Sequence, residues 1–278
     1  MQIALNLYYN KLKSIKLIKF YFFYKEKIYY PFFLWKYRLI AKILKKTIVH
    51  FIHIGKTGGT AVKSALNNEK KPFINHKYII ISHPHFIGLE HVLKNEKAFF
   101  FVRNPVDRFV SGFYSRKRKG MPHIYNEWSK EEAKTFEKFN NPNQLALSLT
   151  SNNMSLQKQA IQGMKSIGHI KTSYWDWFKS PRLIDEKIDN IIFVGSQRNL
   201  DSNFEELREI LEISEEYQLP QNETKRHKNP ESFDKKLDMK SVKNIMSWYA
   251  KDFDFLNYMN KKLLEKGANP ADFKSDLF

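Results

Sequence analysis

An α/β fold with helices on a parallel, doubly wound sheet is what this 278-residue sequence predicts. Three observations lead to it. Four short runs, Thr47–Ile54, Tyr78–Ser82, Lys97–Val102 and Asn190–Gly195, are β-branched, aromatic and apolar enough to be strands covered on both faces. Helical patterns fall between and after them, at about 58–68, 105–118, 200–212 and 239–250. A composition 42% hydrophobic and 27% charged suits a chain that buries a core without staples. No internal repeat interrupts the pattern, and the absence of cysteine excludes disulfides, zinc ribbons, iron–sulfur clusters and thiol catalysis.

Residues 1–46 stand apart from the body at 47–278. They hold 11 basic residues and one acidic residue, Glu26, so they supply more than half of the net charge of +18. Lysines alternate there with aromatics, as in Phe20-Tyr21-Phe22-Phe23-Tyr24 and Tyr29-Tyr30-Pro31-Phe32-Phe33-Leu34-Trp35. The spread of lysines from Lys11 onward does not fit a signal peptide, and no stretch approaches the roughly 20 apolar residues of a spanning helix. The expected location is therefore the cytoplasm, with peripheral attachment to an anionic membrane through 1–46 as one reading. The other reading is amphipathic helix packed on the body, because lysine stems snorkel from either surface.

The first strand runs into His53-Ile54-Gly55-Lys56-Thr57-Gly58-Gly59-Thr60 and then a helical pattern. A strand, a glycine-rich turn and a helix start aim unpaired N–H groups and the positive helix end at one point, which suits an anion. Lys56 adds a charge, and Thr57 and Thr60 add hydroxyl donors. A Walker A loop needs a glycine five positions before Gly55, and His50 stands there.

The second strand ends in Ser82-His83-Pro84-His85. A histidine pair can supply a base, can ligate a metal with His91 near by, or can cap backbone carbonyls. The third strand ends in Arg103-Asn104-Pro105, with Pro105 placed to open a helix and Ser111 about two turns along it. Arginine at a strand end suits bidentate phosphate binding, and pairing with Asp107 is the structural alternative.

Residues 120–180 show no strand and read as a mostly helical insertion, with a turn at Asn140-Asn141-Pro142-Asn143. The run Arg116-Lys117-Arg118-Lys119 either steers an acidic glycan or is a solvated helix end. Gln157, Lys158 and Gln159 are lesser candidates for ligand contact. The donor-rich stretch 219–230, with Thr224, Lys225 and Arg226, reads as a lid or as a solvated basic loop.

The Lys56 loop and the Arg103 block together resemble the two signature regions of sulfotransferases that use 3′-phosphoadenosine-5′-phosphosulfate. The resemblance is to the carbohydrate-acting group that includes heparan sulfate 2-O-sulfotransferase. It rests on Gly55-Lys56-Thr57-Gly58-Gly59-Thr60 and on Arg103-Asn104-Pro105 with Ser111 eight positions after the arginine. It extends more weakly to Phe193–Leu200 and Tyr249–Leu256. It departs at Gly55, where proline is commoner, and at Gln197-Arg198, where an acidic residue often stands.

The resemblance implies a P-loop-like fold and sulfuryl transfer from 3′-phosphoadenosine-5′-phosphosulfate (PAPS) to a hydroxyl of a carbohydrate, with no metal required. It implies that Lys56, Thr57, Gly58, Gly59 and Thr60 hold the 5′-phosphosulfate, that Arg103 and Ser111 hold the 3′-phosphate, and that Thr224, Lys225 and Arg226 close over it. It also implies that His85 is the catalytic base, with His83 supporting it or orienting substrate, and that Lys56 assists the leaving group. A P-loop kinase and a basic protein that binds membrane or nucleic acid are the competing readings; nucleic acid is not the expected partner, since the excess charge is concentrated in 1–46.

Overall fold

The computed structural model describes residues 20, 23–67, 71–122, 125–222 and 233–275. Five strands form one sheet: β1 (Thr47–Ile52), β2 (Phe73–Ile74), β3 (Tyr78–Ser82), β4 (Lys97–Val102) and β5 (Ile191–Ser196). Their order is β2-β3-β1-β4-β5. All neighbours are parallel except the short β2, which runs antiparallel to β3. The four strands read from the sequence form the parallel part. The two-residue β2 is too short to show a period, and it pairs only because β3 presents an edge to it.

The chain passes from β1 to β3 on one side and then to β4 on the other. The carboxyl ends of β1 and β4 therefore flank the point where the winding reverses, the usual ligand crevice of an open α/β sheet. The loops after β1, β3, β4 and β5 all leave from this one edge.

Alternation along the strands divides the apolar residues between two faces. Val49, Phe51, Phe99, Phe101 and Phe193 pack against α2 (Gly59–Ala65) and α9 (Leu200–Ile210). Ile52, Phe100, Val102, Ile191 and Val194 pack against α7 (Trp175–Phe178), α8 (Pro181–Lys187) and α11 (Ala250–Glu265). Burying each large side chain stabilises the fold by about 1.5–3 kcal/mol.

The helix after β4, α3 (Pro105–Lys117), starts where the sequence indicates. Asn104 caps it, accepting from the Val106 N–H at 2.8 Å, and Pro105 takes the first turn, where no N–H is needed. The insertion is helical: α4 (Lys130–Lys138), α5 (Pro142–Ser148) and α6 (Met154–Ser166) pack with α3 and α10 (Met239–Trp248) around Phe109, Phe113, Leu145, Met164 and Ile245. The turn read at 140–143 is the start of α5, with Asn141 as its cap and Pro142 in its first turn.

Within residues 1–46, the described part is a single π turn (Lys25–Tyr29) leading into α1 (Tyr30–Ile43). Tyr30, Leu34 and Ala41 pack on Ile48, Ile79, Ile81 and Ile87, so α1 covers part of the sheet. A bidentate pair from Arg38 to Glu96, at 2.6 and 2.9 Å, fastens it to the body. No described helix is long and apolar enough to cross a membrane.

Candidate active site

The β1 loop turns sharply enough to need two residues at positive φ, Lys56 (φ 70°) and Gly58 (φ 88°). The Thr57 hydroxyl, read from the sequence as a ligand donor, instead donates to the Ile54 carbonyl at 3.0 Å and closes the turn. What Thr57 can still offer is its backbone. Gly59 opens α2 and lies directly under the buried His53 ring; a Cβ there would stand 2.2 Å from His53 Cδ2. Only glycine admits that approach, which keeps the first-turn N–H groups open at the crevice.

Three cations converge on this turn. Arg103, at the end of β4, places Nη1 3.5 Å from the Lys56 carbonyl. Burial first, then the positive charges of Arg103 and Arg118, push the Lys56 ammonium down to about 7. Cations held together against their mutual repulsion fit an anion of more than one charge. Tyr174, from the insertion, fixes Arg103 by accepting from its N–H at 2.9 Å and donating to its carbonyl at 2.6 Å. Ser111 is buried two turns into α3, and its hydroxyl has no hydrogen-bond partner among the described residues. Thr60 is half-buried in the first turn of α2. Thr224, Lys225 and Arg226 lie outside the described residues.

The histidine pair after β3 is split between two environments. His83 is fully buried: Tyr30 Oη donates to its Nδ1, and its Nε2 lies 2.7 Å from His50 Nδ1. His50 Nε2 in turn donates to Glu96 at 2.8 Å. Burial works against the Glu96 charge, but hydrogen bonds from Arg38 and His50 outweigh it and hold that carboxyl down at about 2. The result is a buried series in which each donor has an acceptor, and burial keeps both histidines neutral. With both ring nitrogens engaged, His83 cannot orient a substrate, which corrects that part of the expectation; it anchors the turn that carries His85.

His85 faces the crevice. Its Nδ1 lies 2.8 Å from the His53 carbonyl, and a carbonyl only accepts, so Nδ1 carries the proton and Nε2 is the basic nitrogen. Crowding by protein, with Lys63 and Lys56 near, lowers its pKa below the ordinary value, and only the hydrogen bond to His53 opposes this. His85 is therefore neutral at pH 7. The His53 ring lies 4.2 Å from it, centroid to centroid, and separates it from Gly59.

Three residues outside the expected set complete the crevice. Arg108, fully buried on α3, donates to the Gly55 carbonyl at 3.1 Å, to Asp252 of α11 at 3.2 Å and to the carbonyl and hydroxyl of Thr172 at 2.8 Å. It ties the loop to both the insertion and the C-terminal helix. His169, at φ 67°, brings its ring to 6.0 Å from that of His85. A Cβ on Gly55 would stand 3.1 Å from its Nδ1, so the unusual glycine of the loop makes room for this histidine. Burial, then Lys56, pushes the His169 imidazole down to about 3. Gln197, after β5, packs beside Gly58 with its amide oxygen buried and unpartnered among the described residues. Arg108 stood in the sequence next to the recognised block, but nothing local distinguishes a loop clamp from a surface arginine. His169 lies within the insertion and has no spacing signal.

The basic run at the end of α3 divides. Arg116 is buried against Glu132, at 2.7 Å to each carboxylate oxygen, Lys117 donates to the Asn140 carbonyl and Lys119 pairs with Glu127. Arg118 alone of the four acts on Lys56. Gln157 is spent on the Leu149 carbonyl, while Lys158 and Gln159 are exposed on α6. Among the described residues, no group of three or more histidine, aspartate or glutamate side chains is arranged to hold a metal ion.

No curated protein matches the chain. The sulfotransferase family model, by contrast, matches residues 20–259, a span that takes in α1, the whole sheet, the insertion and most of α11. The Lys56 turn after β1, the arginine at the end of β4 and the helical insertion all fall within that match. The chain belongs to the sulfotransferase family.

Proposed function

We propose that the protein transfers the sulfuryl group of PAPS to a hydroxyl, on a carbohydrate, with His85 as the base. The observation that carries the reading is the meeting of the cationic turn and a neutral histidine at one crevice. Lys56, repelled by Arg103 and Arg118, sits at its floor, and His85 Nε2 stands open at its rim. The donor fits the residues present: the turn suits its phosphosulfate end, and Arg103 with the buried Ser111 suits a second phosphate.

When bound, the donor supplies an activated sulfuryl group whose leaving group is a phosphate oxygen. His85 Nε2 takes the proton of the acceptor hydroxyl as its oxygen bonds to sulfur, and the electron pair of the breaking S–O bond goes to that phosphate oxygen. Lys56 and the N–H groups of Gly58, Gly59 and Thr60 stabilise the charge that builds there, worth several kcal/mol in a site held ready for it. Arg108 keeps the turn in place. The carbohydrate class of the acceptor rests on the resemblance of the loop, the Arg103 block and His83-Pro84-His85 to the carbohydrate-acting group.

Calorimetric titration with adenosine 3′,5′-bisphosphate in EDTA, against ATP with magnesium, tests the donor. Micromolar binding of the bisphosphate without metal is expected; binding of ATP with magnesium alone would assign the site to a kinase. His85→Ala is expected to bind the bisphosphate as the parent does and to lose turnover by at least about a hundredfold. Near-full turnover in that variant removes His85 as the base.

A further inference from the structure

The outer side of α1 is as apolar as its inner side. Ile28, Phe32, Trp35, Leu39 and Ile43 recur every three or four residues and form one stripe along the π turn and α1. Their exposures run from 45% for Leu39 to 69% for Ile43. On the opposite side Tyr30, Leu34 and Ala41 are buried against the sheet. The Phe32 and Trp35 rings stack on each other at 5.6 Å, a pairing that covers little of either ring. Exposed aromatic and aliphatic side chains in an unbroken stripe cost free energy in water, so such a face indicates something that covers it.

The rim of the stripe is basic. Lys36 and Lys42 are exposed on either side of it, Lys25 and Lys27 stand at its start, and Lys45 follows its end. Glu26 is the one acidic residue among residues 1–46, and it pairs with Lys27 at 2.9 Å. A second copy of this face would bring its lysines against these, which the like charges oppose. An apolar stripe between rows of lysine instead complements a surface that is apolar inside and anionic at its edge.

We propose that this face of α1 docks the protein on an anionic lipid surface, with Phe32, Trp35 and Leu39 inserted at the level of the headgroups and the flanking lysines on lipid phosphates. The docking element is firmly joined to the catalytic edge of the sheet. Tyr30 of α1 donates to His83, two residues from His85, and Arg38 holds Glu96 at the far end of the same buried series. The inference does not depend on the sulfuryl-transfer reading, since it concerns the opposite face of a helix outside the crevice.

The test is flotation of the full chain with vesicles of phosphatidylcholine alone and of phosphatidylcholine mixed with phosphatidylglycerol. Binding to the mixed vesicles only, weakening as salt is raised, is expected. A variant carrying Phe32→Ser, Trp35→Ser and Leu39→Ser should lose at least about tenfold in vesicle affinity. A second, Lys36→Glu with Lys42→Glu, should lose at least about twentyfold, from roughly fivefold per lysine near the surface. The altered side chains are exposed, so circular dichroism and bisphosphate affinity should stay those of the parent. The charge variant gives an answer even if the apolar one folds poorly. No flotation with either vesicle, or equal flotation with both, overturns the proposal. So does a concentration-dependent dimer that the serine variant abolishes, or binding to single-stranded oligonucleotide without binding to vesicles.

Discussion

Lys56 offers a quantitative test of the anion site. Its ammonium is held at about 7, against 10.5 for an unperturbed lysine, by burial and by two neighbouring guanidinium groups. A phosphate in the turn adds opposite charge and hydrogen bonds to the charged form, both of which raise the pKa again. If binding restores the ordinary value, affinity for adenosine 3′,5′-bisphosphate falls tenfold per pH unit above 7, to a limit of roughly 3,000-fold. The sign follows from proton counting. Between the two pKa values the complex holds a proton that the free protein has lost, so raising the pH favours the free protein.

At pH 8 the free Lys56 is about one-tenth protonated, and binding should take up about 0.9 proton. The phosphates of the ligand, with a second pKa near 6, are already fully ionised and contribute little. Calorimetric titrations at pH 8 in two buffers of different ionisation enthalpy measure the uptake directly. Lys56→Arg keeps the charge and cannot titrate in this range, so uptake should vanish while the pH dependence flattens. Uptake below about 0.2 proton in the parent, with affinity unchanged from pH 7 to 9, would refute the idea that crowding by Arg103 and Arg118 leaves Lys56 poised for an anion.

Gly59→Ala places a methyl group 2.2 Å from His53, which is buried and packed against the His85 ring, so the ring must shift. A stability loss of about 1–3 kcal/mol is expected, together with reduced turnover; thermal melting and steady-state rates report the two, and an unchanged rate would show that His53 does not position His85. Arg108→Met leaves Asp252 buried without its cation and frees the Gly55 carbonyl. The expected cost is about 3–5 kcal/mol, read as a fall on the order of 10 °C in the melting midpoint. A fall of only about 2 °C would mean that the clamp carries little of the fold.

Sequence alone determined the parallel strands, because Ile-, Val- and Phe-rich runs without alternation are stable only when covered on both faces. It also put Lys56, Arg103 and His85 in the turns that follow three of these strands, since each stands beside a turn or helix start with its own local signal. Several features needed the tertiary structure. The Thr57 hydroxyl and the His83 ring have the right chemistry for a ligand, yet the folded turn commits the first to the Ile54 carbonyl three residues back, and long-range contacts commit the second to His50 and Tyr30. Arg108 and His169 reach the loop across separations of 53 residues or more, through contacts that no spacing encodes. Residues 1–46 read equally as a packed helix or a membrane-facing one, because a helix apolar on two sides satisfies both patterns. Which side faces the protein was decided only when Ile48, Ile79 and Ile81 of the sheet came together beneath Tyr30, Leu34 and Ala41. Local chemistry places a residue at the end of an element; only the joining of distant elements settles which of its atoms remain free to act.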